Sequence, residues 1–183
     1  IIYKTSEVPN FAQGEMSMIS TFIAFMFLDT FGQSFLVSFT GALLFAIALG
    51  VFLEFVFLRR AKDPNVLSLI LITLGFEMML YGLASWKWGA EQQSFPFPVS
   101  DFDIVNLGHA VVSYLNIATL LVALFLMFVL FLFFKYTKVG IAMKATQQNM
   151  IAARINGIRA NRILSITWGM SSFIGAVAGM MLA

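Results

Sequence analysis

Cysteine is absent from this 183-residue chain, and histidine occurs only once, as His109. Disulfides, thiol nucleophiles and cysteine-based metal sites are therefore excluded, and a single histidine cannot build a multi-histidine metal centre. Charged residues are also scarce, at 11% of the chain against about 25% in a typical soluble domain. No phosphate-binding loop of the form G-x-x-x-x-G-K-[ST] occurs, so we expect no nucleotide to bind through such a loop in this chain.

Apolar residues dominate what is present. They make up 60% of the chain, and the mean hydropathy of +0.90 indicates that lipid is the solvent of most of it. A net charge of +2 is too small to favour nucleic acid as a partner. The chain begins on IIYKTSEV, without Met, and stops within the apolar run AVAGMMLA. We therefore expect a piece of a membrane protein that lacks terminal spans.

Four apolar stretches are long enough to cross a bilayer as helices, which takes about 20 residues each. They are 35–58, 66–85, 115–134 and 163–183. A fifth stretch, 16–28, is too short to span alone, so we predict that it continues a broken or half-inserted helix beginning near Asn10. The predicted fold is an all-α polytopic transmembrane bundle, forming one domain over 1–183.

Positive charge orients these spans, because basic loops stay in the cytoplasm. Lys and Arg crowd the links 59–65 and 135–162, whereas 86–114 carries Glu and Asp together with Trp86 and Trp88. We predict that 135–162 is a cytoplasmic loop and that 86–114 is an extracytoplasmic loop. His109 is expected to be an ordinary residue of that outer loop.

Small residues recur at four-residue spacing within two of the spans, a pattern that permits close helix packing in lipid. They are Ala42, Ala46 and Gly50 in one span, and Ser171, Gly175 and Gly179 in the other.

The cytoplasmic loop contains a polar segment at 140–158 that differs from the spans on both sides. Its small and apolar residues recur at helical spacing, which predicts one helix closed by Asn156 and Gly157. Asn161 is expected to cap the following span. A face of small residues suits docking to a partner protein, and the alternative is an amphipathic helix lying on lipid headgroups.

The segment GIAMKATQQNMIAARINGI, residues 140–158, resembles the cytoplasmic loop of branched-chain amino-acid ABC-transporter permeases. In that family the loop forms a coupling helix that docks onto the ATP-hydrolysing subunit, and Arg is more common where this chain has Lys144. The resemblance implies that the matching residues couple this chain to an ATPase. These residues are Gly140, Lys144, Ala145, Asn149, Ala152, Ala153 and Gly157.

Two further segments resemble the same family. NFAQGEMSMIS, residues 10–20, matches its Asn-Phe-Ala-His-Gly-Glu signature, with Gln13 in place of the usual His. The third match, at 59–89, has a basic turn followed by an apolar helix with a Thr-Leu-Gly core. The resemblance makes Asn10, Gln13 and Glu15 candidates for the translocation path. Their alternative is an ordinary cytoplasmic helix start, with Glu15 favoured by the positive helix N-terminus.

Two carboxylates lie within predicted spans. Glu77 is near the middle of 66–85, where an acid must face the bundle interior, form a pair or be protonated. We expect either a polar wall of the translocation path or a hydrogen bond to a neighbouring helix. Glu54, close to the cytoplasmic end of its span, is expected to reach the headgroups or to pair with Arg59 or Arg60.

The resemblance implies a permease subunit, without enzymatic activity, cofactor or metal, of an ATP-driven importer of amino acids, most often branched-chain ones. Its expected location is the cell (inner) membrane of a bacterium or archaeon. The implied partners are a second permease subunit, usually a paralogue, two ABC ATPase subunits, and a periplasmic or extracellular solute-binding protein.

Two other classes of protein remain as alternatives. One is an ion-coupled secondary transporter or channel that uses the intramembrane Glu77. The other is an intramembrane enzyme, but the absence of Cys and the position of His109 outside the spans leave no usual nucleophile and base pair.

Overall fold

A computed structural model describes residues 9–61, 65–89, 104–107 and 110–182. The predicted roles of His109 and of most of the outer loop lie outside these residues. The chain divides into two compact units, one formed by Ile1–Phe95 with Ala142–Ala183 and the other by Pro96–Ile141.

The first unit contains four long helices, three of which precede residue 96. Helix α1 spans Gln13–Asp29, α2 spans Phe35–Phe52 and continues as a π-helix over Leu53–Leu58, and α3 spans Val66–Trp88. The side chain of Asn65 caps α3 by accepting a hydrogen bond from the backbone N–H of Ser68 at 2.7 Å. Helix α1 starts three residues later than predicted, and Asn10 precedes it.

The second unit contains a short β-hairpin and one long helix. Strands β1, Ile104–Leu107, and β2, Ala110–Ser113, pair antiparallel with Ile104 opposite Ser113. Helix α4 spans Tyr114–Tyr136 and is capped by the side chain of Ser113. The hairpin is the one departure from the predicted all-helical architecture within the described residues.

Three further helices complete the described chain. They are α5, Lys138–Gln148, the short α6, Met150–Ile155, and α7, Ala160–Leu182. Four helical stretches are long and apolar enough to cross a membrane: Phe35–Leu58, Val66–Trp88, Tyr114–Tyr136 and Ala160–Leu182. They confirm the predicted spans to within a few residues.

Helices α1, α2 and α7 pack closely on one another, and α3 packs on α1. Their contact depends on small side chains, since Ala42, Ala46 and Gly50 of α2 are all buried. A Cβ atom on Gly50 would lie only 2.8 Å from the Cβ of Ser172 on α7. The prediction of close packing through small residues is therefore confirmed.

Larger side chains fill the core around this contact. Trp168 of α7 is only 2% exposed, and Phe22 of α1 stacks on Trp88 of α3 with ring centroids 5.0 Å apart. The buried core consists of Ala12, Met16, Ile19, Leu53, Phe76, Leu80, Ala84 and Trp168. These contacts fix where α1 begins relative to α7.

Candidate functional site

The predicted coupling residues lie in the segment that joins α4 to α7. Helix α5 follows α4 after a single residue, Thr137, whose hydroxyl accepts a hydrogen bond from the N–H of Gly140 at 3.0 Å. Gly140 is buried, and a Cβ atom there would clash with the carbonyl oxygen of Phe133 and lie 2.7 Å from the Cα of Phe134. Gly140 thus permits the tight turn between the two helices.

Asn149 interrupts the segment that we predicted to be one helix. Its backbone is extended, with φ −159° and ψ 104°, and its side-chain oxygen accepts a hydrogen bond from the N–H of Ala152 at 2.9 Å. The prediction of one continuous helix over 140–155 was wrong because Asn readily caps a new helix, which competes with continuing the old one.

Gly157 closes α6 in the left-handed conformation, with φ 81°. The N–H of Gly157 donates to the carbonyl of Arg154, and the N–H of Ile158 donates to that of Ala153. The predicted glycine stop is confirmed. Asn161 does not cap the next helix as predicted, because α7 already begins at Ala160 and Asn161 lies within its first turn.

The other predicted coupling residues differ in exposure. Lys144 and Ala152 are exposed, Ala145 is half-buried, and Ala153 is 4% exposed. Ala153 therefore supports the fold of the segment from inside and is not available to a partner.

The most exposed apolar side chains of α6 were not among the predicted site residues. Ile151 is 73% exposed and Ile155 is 80% exposed, one helical turn apart. Together with the exposed Ala152 they form a continuous apolar strip, which we call the α6 outer surface. The spacing of Ile151 and Ile155 was visible in the sequence, but their exposure depends on the break at Asn149, which sets the orientation of α6.

The second set of predicted residues surrounds the start of α1. Gln13 donates from Nε2 to the carbonyl of Ser171 on α7 at 3.0 Å, and the Ser171 hydroxyl donates back to Gln13 Oε1 at 3.1 Å. Asn10 also donates to Gln13 Oε1, at 3.0 Å. The Oδ1 atom of Asn10 is buried without a hydrogen-bond partner among the described residues.

The contact with Ser171 places the start of α1 deep in the bundle. A Cβ atom on Gly179 would lie 2.9 Å from Thr21 Oγ1, so α1 and α7 run in the same direction. Ser171 lies 11 residues after Ala160, which is about 16 Å along an α-helix. That distance is close to half of the hydrocarbon thickness of about 30 Å. The start of α1 thus lies beside the middle of α7, a helix long enough to cross a membrane.

The two remaining predicted path residues are acidic. Glu15 is half-buried in the first turn of α1, where the positive helix terminus favours a carboxylate. Glu77 is half-buried and lies 11 residues after Val66, also near mid-span. Within the described part of the chain Glu77 has neither a hydrogen bond nor an ion pair.

A second polar cluster joins the π-helical end of α2 to the beginning of α7. Glu54 is 3% exposed and accepts two hydrogen bonds from Arg59. The donors are Nε at 3.2 Å and Nη2 at 3.0 Å. Ser165 of α7 donates to Glu54 at 2.6 Å, and Arg59 Nη2 also donates to the carbonyl of Asn161 at 3.0 Å. The predicted pairing of Glu54 with Arg59 is confirmed.

The π-helix explains how residues five apart form this pair. The N–H of Arg59 donates to the carbonyl of Glu54 at 2.8 Å, the five-residue hydrogen bond of a π-helix. Its wider turn brings the two side chains to the same side. The pattern of hydrophobic residues gives no sign of this local widening.

Comparison with known proteins relates the whole chain to one family. A family model described as the permease component of branched-chain amino acid transport systems matches residues 1–183. The chain is 25% identical over 193 residues to the high-affinity branched-chain amino acid transport system permease protein BraD of Pseudomonas aeruginosa. It is 26% identical over 195 residues to the corresponding protein LivH of Escherichia coli K12.

A third relative is 28% identical over 192 residues, the probable branched-chain amino acid transport permease protein LivH of Methanocaldococcus jannaschii. These alignments use all of this chain but 63%, 63% and 59% of the three relatives. No solved structure matches the chain.

Proposed function

Since the chain belongs to the family of permease components of branched-chain amino acid transport systems, we propose that it is a membrane-spanning subunit of an ATP-driven ABC importer for amino acids. It forms part of the translocation path and is coupled to a separate ATPase. The chain spans about 63% of the length of the bacterial relatives it matches. The proposal therefore concerns the part that these residues play in the complete transporter.

The coupling role rests above all on the α6 outer surface. Two strongly exposed Ile side chains one turn apart on a short helix, in a loop rich in basic residues, are typical of a protein-binding surface. The ATPase docks here, with Lys144 beside the contact and Gly140, Asn149 and Gly157 setting the shape of the segment. The small side chains of Ala145 and Ala153 reduce the bulk of this segment, so that the ATPase can approach its backbone closely.

Movement of the docked ATPase reaches the membrane through α7. Only 156–159 separate α6 from α7, and Ile158 is hydrogen-bonded to Ala153 of α6. A shift of α6 therefore pulls on the first turn of α7. That helix carries both polar clusters, so the shift changes its contacts with α1 and α2.

The polar start of α1 forms part of the translocation path. Helices that begin within the membrane are typical of transporters, where their free N–H groups and nearby polar side chains receive the polar part of a substrate. Asn10 and Gln13 supply amide groups at this depth, and Glu15 and Glu77 supply carboxylates. Movement of α7 would open the polar start of α1 first to one side of the membrane and then to the other. This exchange is the alternating access that transport requires.

The remaining partners are assigned to the two faces of the membrane. A periplasmic or extracellular solute-binding protein docks on the outer loop near 86–114 and delivers the substrate. A second permease subunit completes the path, and two ATPases bind on the cytoplasmic side.

Co-purification of the ATPase with the complete protein tests the coupling role. The informative variant is Ile151→Asp, because Asp at the second position of α6 is compatible with a helix N-terminus and removes only the apolar surface. We expect it to lower the recovered ATPase by at least about tenfold, since burying an unpaired carboxylate in an interface costs more than about 1.4 kcal/mol.

The matched control is Gln147→Asp, which adds the same charge to the same segment outside the α6 outer surface. Gln147 is exposed, so the folded protein should accept this change and still bind the ATPase. Equal recovery of the ATPase with both variants and the wild type would contradict the proposed docking surface.

An ion-coupled transporter is the second candidate, and Glu77 is the observation that favours it. A half-buried carboxylate near mid-span, without a partner among the described residues, is suited to binding a proton or a cation. Such a protein would transport its substrate without an ATPase.

A further inference from the structure

Four of the chain's five arginines line one pocket at the end of the membrane spans. The pocket has a volume of about 620 Å³ and lies where the link between α6 and α7 passes Arg59. Besides arginine it is lined by Gly157, Ile158, Ala160 and Asn161. The fifth arginine, Arg60, does not line it, and neither does any of the four lysines in the described residues.

The arginines of this pocket keep most of their charge available. Arg154, Arg159 and Arg162 are exposed, and within the described residues their side chains have no hydrogen bond or ion pair. Arg59 is held in place by Glu54 and Asn161, which fixes one wall of the pocket. No acidic residue of the described chain lines the pocket, so it carries an unbalanced positive charge.

This arrangement differs from the basic residues that orient a membrane protein. Orientation needs only positive charge in a loop, and Lys serves as well as Arg for that purpose. Convergence of arginines alone on one concave site is suited to phosphate, because the planar guanidinium group binds two phosphate oxygens at once.

The position of the pocket favours lipid headgroups as the source of a phosphate ligand. Arg59 directly follows the span Phe35–Leu58, and Ala160 begins the span Ala160–Leu182. The pocket therefore lies at the depth of the lipid headgroups, whichever side of the membrane it faces. Anionic lipids are permanent phosphate-bearing components at that depth, and basic pockets between spans are known to bind their headgroups.

Apolar surface above the arginines fits the rest of a lipid molecule. Phe55 is 48% exposed, and its ring lies 4.9 Å from the guanidinium carbon of Arg59. Ile166, one turn beyond Arg162 on α7, is 38% exposed. An acyl chain can lie along such surfaces while the phosphate meets the arginines. A soluble acidic ligand would make no use of them.

We propose that the pocket formed by Arg59, Arg154, Arg159 and Arg162 binds the phosphate group of an anionic phospholipid. The bound lipid bridges the start of α7 and the end of α2, beside the α6 outer surface. This inference does not depend on the transported substrate, although Arg154 lies on the same short helix as the α6 outer surface.

Lipid retention tests the proposal on the complete protein. The protein is purified from nanodiscs that contain equal amounts of phosphatidylglycerol and phosphatidylcholine, and the retained lipids are counted by mass spectrometry. The pocket variant is Arg154→Gln/Arg159→Gln/Arg162→Gln, which leaves Arg59 and its bond to Glu54 intact. We expect it to lose at least about tenfold of the retained phosphatidylglycerol, because each basic residue near the lipid surface contributes about 1 kcal/mol.

A charge-matched control is Arg60→Gln/Lys135→Gln/Lys138→Gln. It removes the same number of positive charges, one from the predicted cytoplasmic link 59–65 and two from 135–162, at exposed positions outside the pocket. It should retain phosphatidylglycerol within about twofold of the wild type, because the pocket is unchanged. Preference for phosphatidylglycerol over phosphatidylcholine should disappear in the pocket variant alone.

Three results would overturn the proposal. Equal loss of phosphatidylglycerol in both triple variants would show only general attraction to a basic surface. Displacement of the lipid by millimolar inorganic phosphate or ATP would assign the pocket to a soluble anion. Unchanged lipid together with loss of the co-purified ATPase, in the pocket variant alone, would make it a protein-docking site.

Discussion

Two polar clusters connect α7 to its neighbours, and they differ in charge and in depth. The cluster of Gln13 and Ser171 is neutral, lies near mid-depth and joins α7 to α1. The cluster of Glu54, Arg59 and Ser165 is ionic, lies about one and a half turns closer to the start of α7 and joins it to α2. Replacing one neutral hydrogen-bond partner of an amide by another changes the free energy little. Removing one partner of a buried ion pair leaves an uncompensated charge and is strongly destabilising. We therefore expect the ionic cluster to hold α7 to α2 more strongly than the neutral cluster holds α7 to α1.

The largest expected effect is on the ionic cluster. Arg59→Leu leaves the carboxylate of Glu54 buried without its partner, and we expect the free energy of unfolding to fall by about 3–5 kcal/mol. Unfolding of the detergent-solubilised complete protein by a denaturing detergent measures this change. Arg60→Leu is the control, because Arg60 is exposed and the structure gives it no ion pair with a described residue. Similar losses in both variants would remove the distinction between the two clusters.

The next effect concerns the packing that makes the neutral cluster possible. A Cβ atom on Gly175 would clash with Gln13 Nε2 and lie 2.6 Å from Ser17 Oγ. We expect Gly175→Val to push the Gln13 side chain out of its contact with Ser171 and to lower the free energy of unfolding by about 1–3 kcal/mol. Gly82→Ala on α3 is the control, since a Cβ atom there meets nothing within 4 Å. If Gly175→Val is as stable as the wild type, the contact between Gln13 and Ser171 contributes nothing to stability.

A matched pair of serines, one in each cluster, compares the two connections directly, and the serine of the neutral cluster gives the smallest expected effect. Ser165→Ala removes a 2.6 Å hydrogen bond to a carboxylate, with an expected loss of about 1.5–3 kcal/mol. Ser171→Ala removes a 3.1 Å bond to an amide oxygen, with an expected loss of about 0.5–1.5 kcal/mol. The same unfolding measurement compares the two variants directly. The reverse order would mean that the neutral cluster is the stronger connection.

Sequence reasoning recovered the architecture well because long apolar runs and basic links are strong signals. The multi-pass helical fold was predicted from these signals and is confirmed by the spans, and the family was predicted from the resembling segments and is confirmed by the family model. The two small-residue patterns were also interpreted correctly. The short hairpin at 104–113 was missed, because it lies in a loop whose residues have no long alternating pattern.

The candidate site was only partly predictable. The glycine stop at Gly157 and the pair Glu54–Arg59 follow from local chemistry, and both were predicted. The helix break at Asn149 and the start of α7 at Ala160 depend on competition between local hydrogen bonds, so the sequence alone placed them wrongly. The depth of Gln13 and the gathering of arginines in one pocket arise from contacts between distant segments. No local pattern reports such contacts, and the roles assigned to these residues remain predictions.

Energy coupling is the central claim, and its most direct measurement is uptake of radiolabelled leucine into proteoliposomes. The proteoliposomes contain the complete protein with its partner permease and ATPases. ATP is supplied on the side of the membrane where the ATPases lie, and the solute-binding protein is supplied on the opposite side. Ionophores collapse all ion gradients in one arm, and ATP is omitted in the other. We predict that uptake continues without gradients and stops without ATP. Uptake that follows an ion gradient and survives the omission of ATP would contradict the account, and it would favour a carrier that uses Glu77.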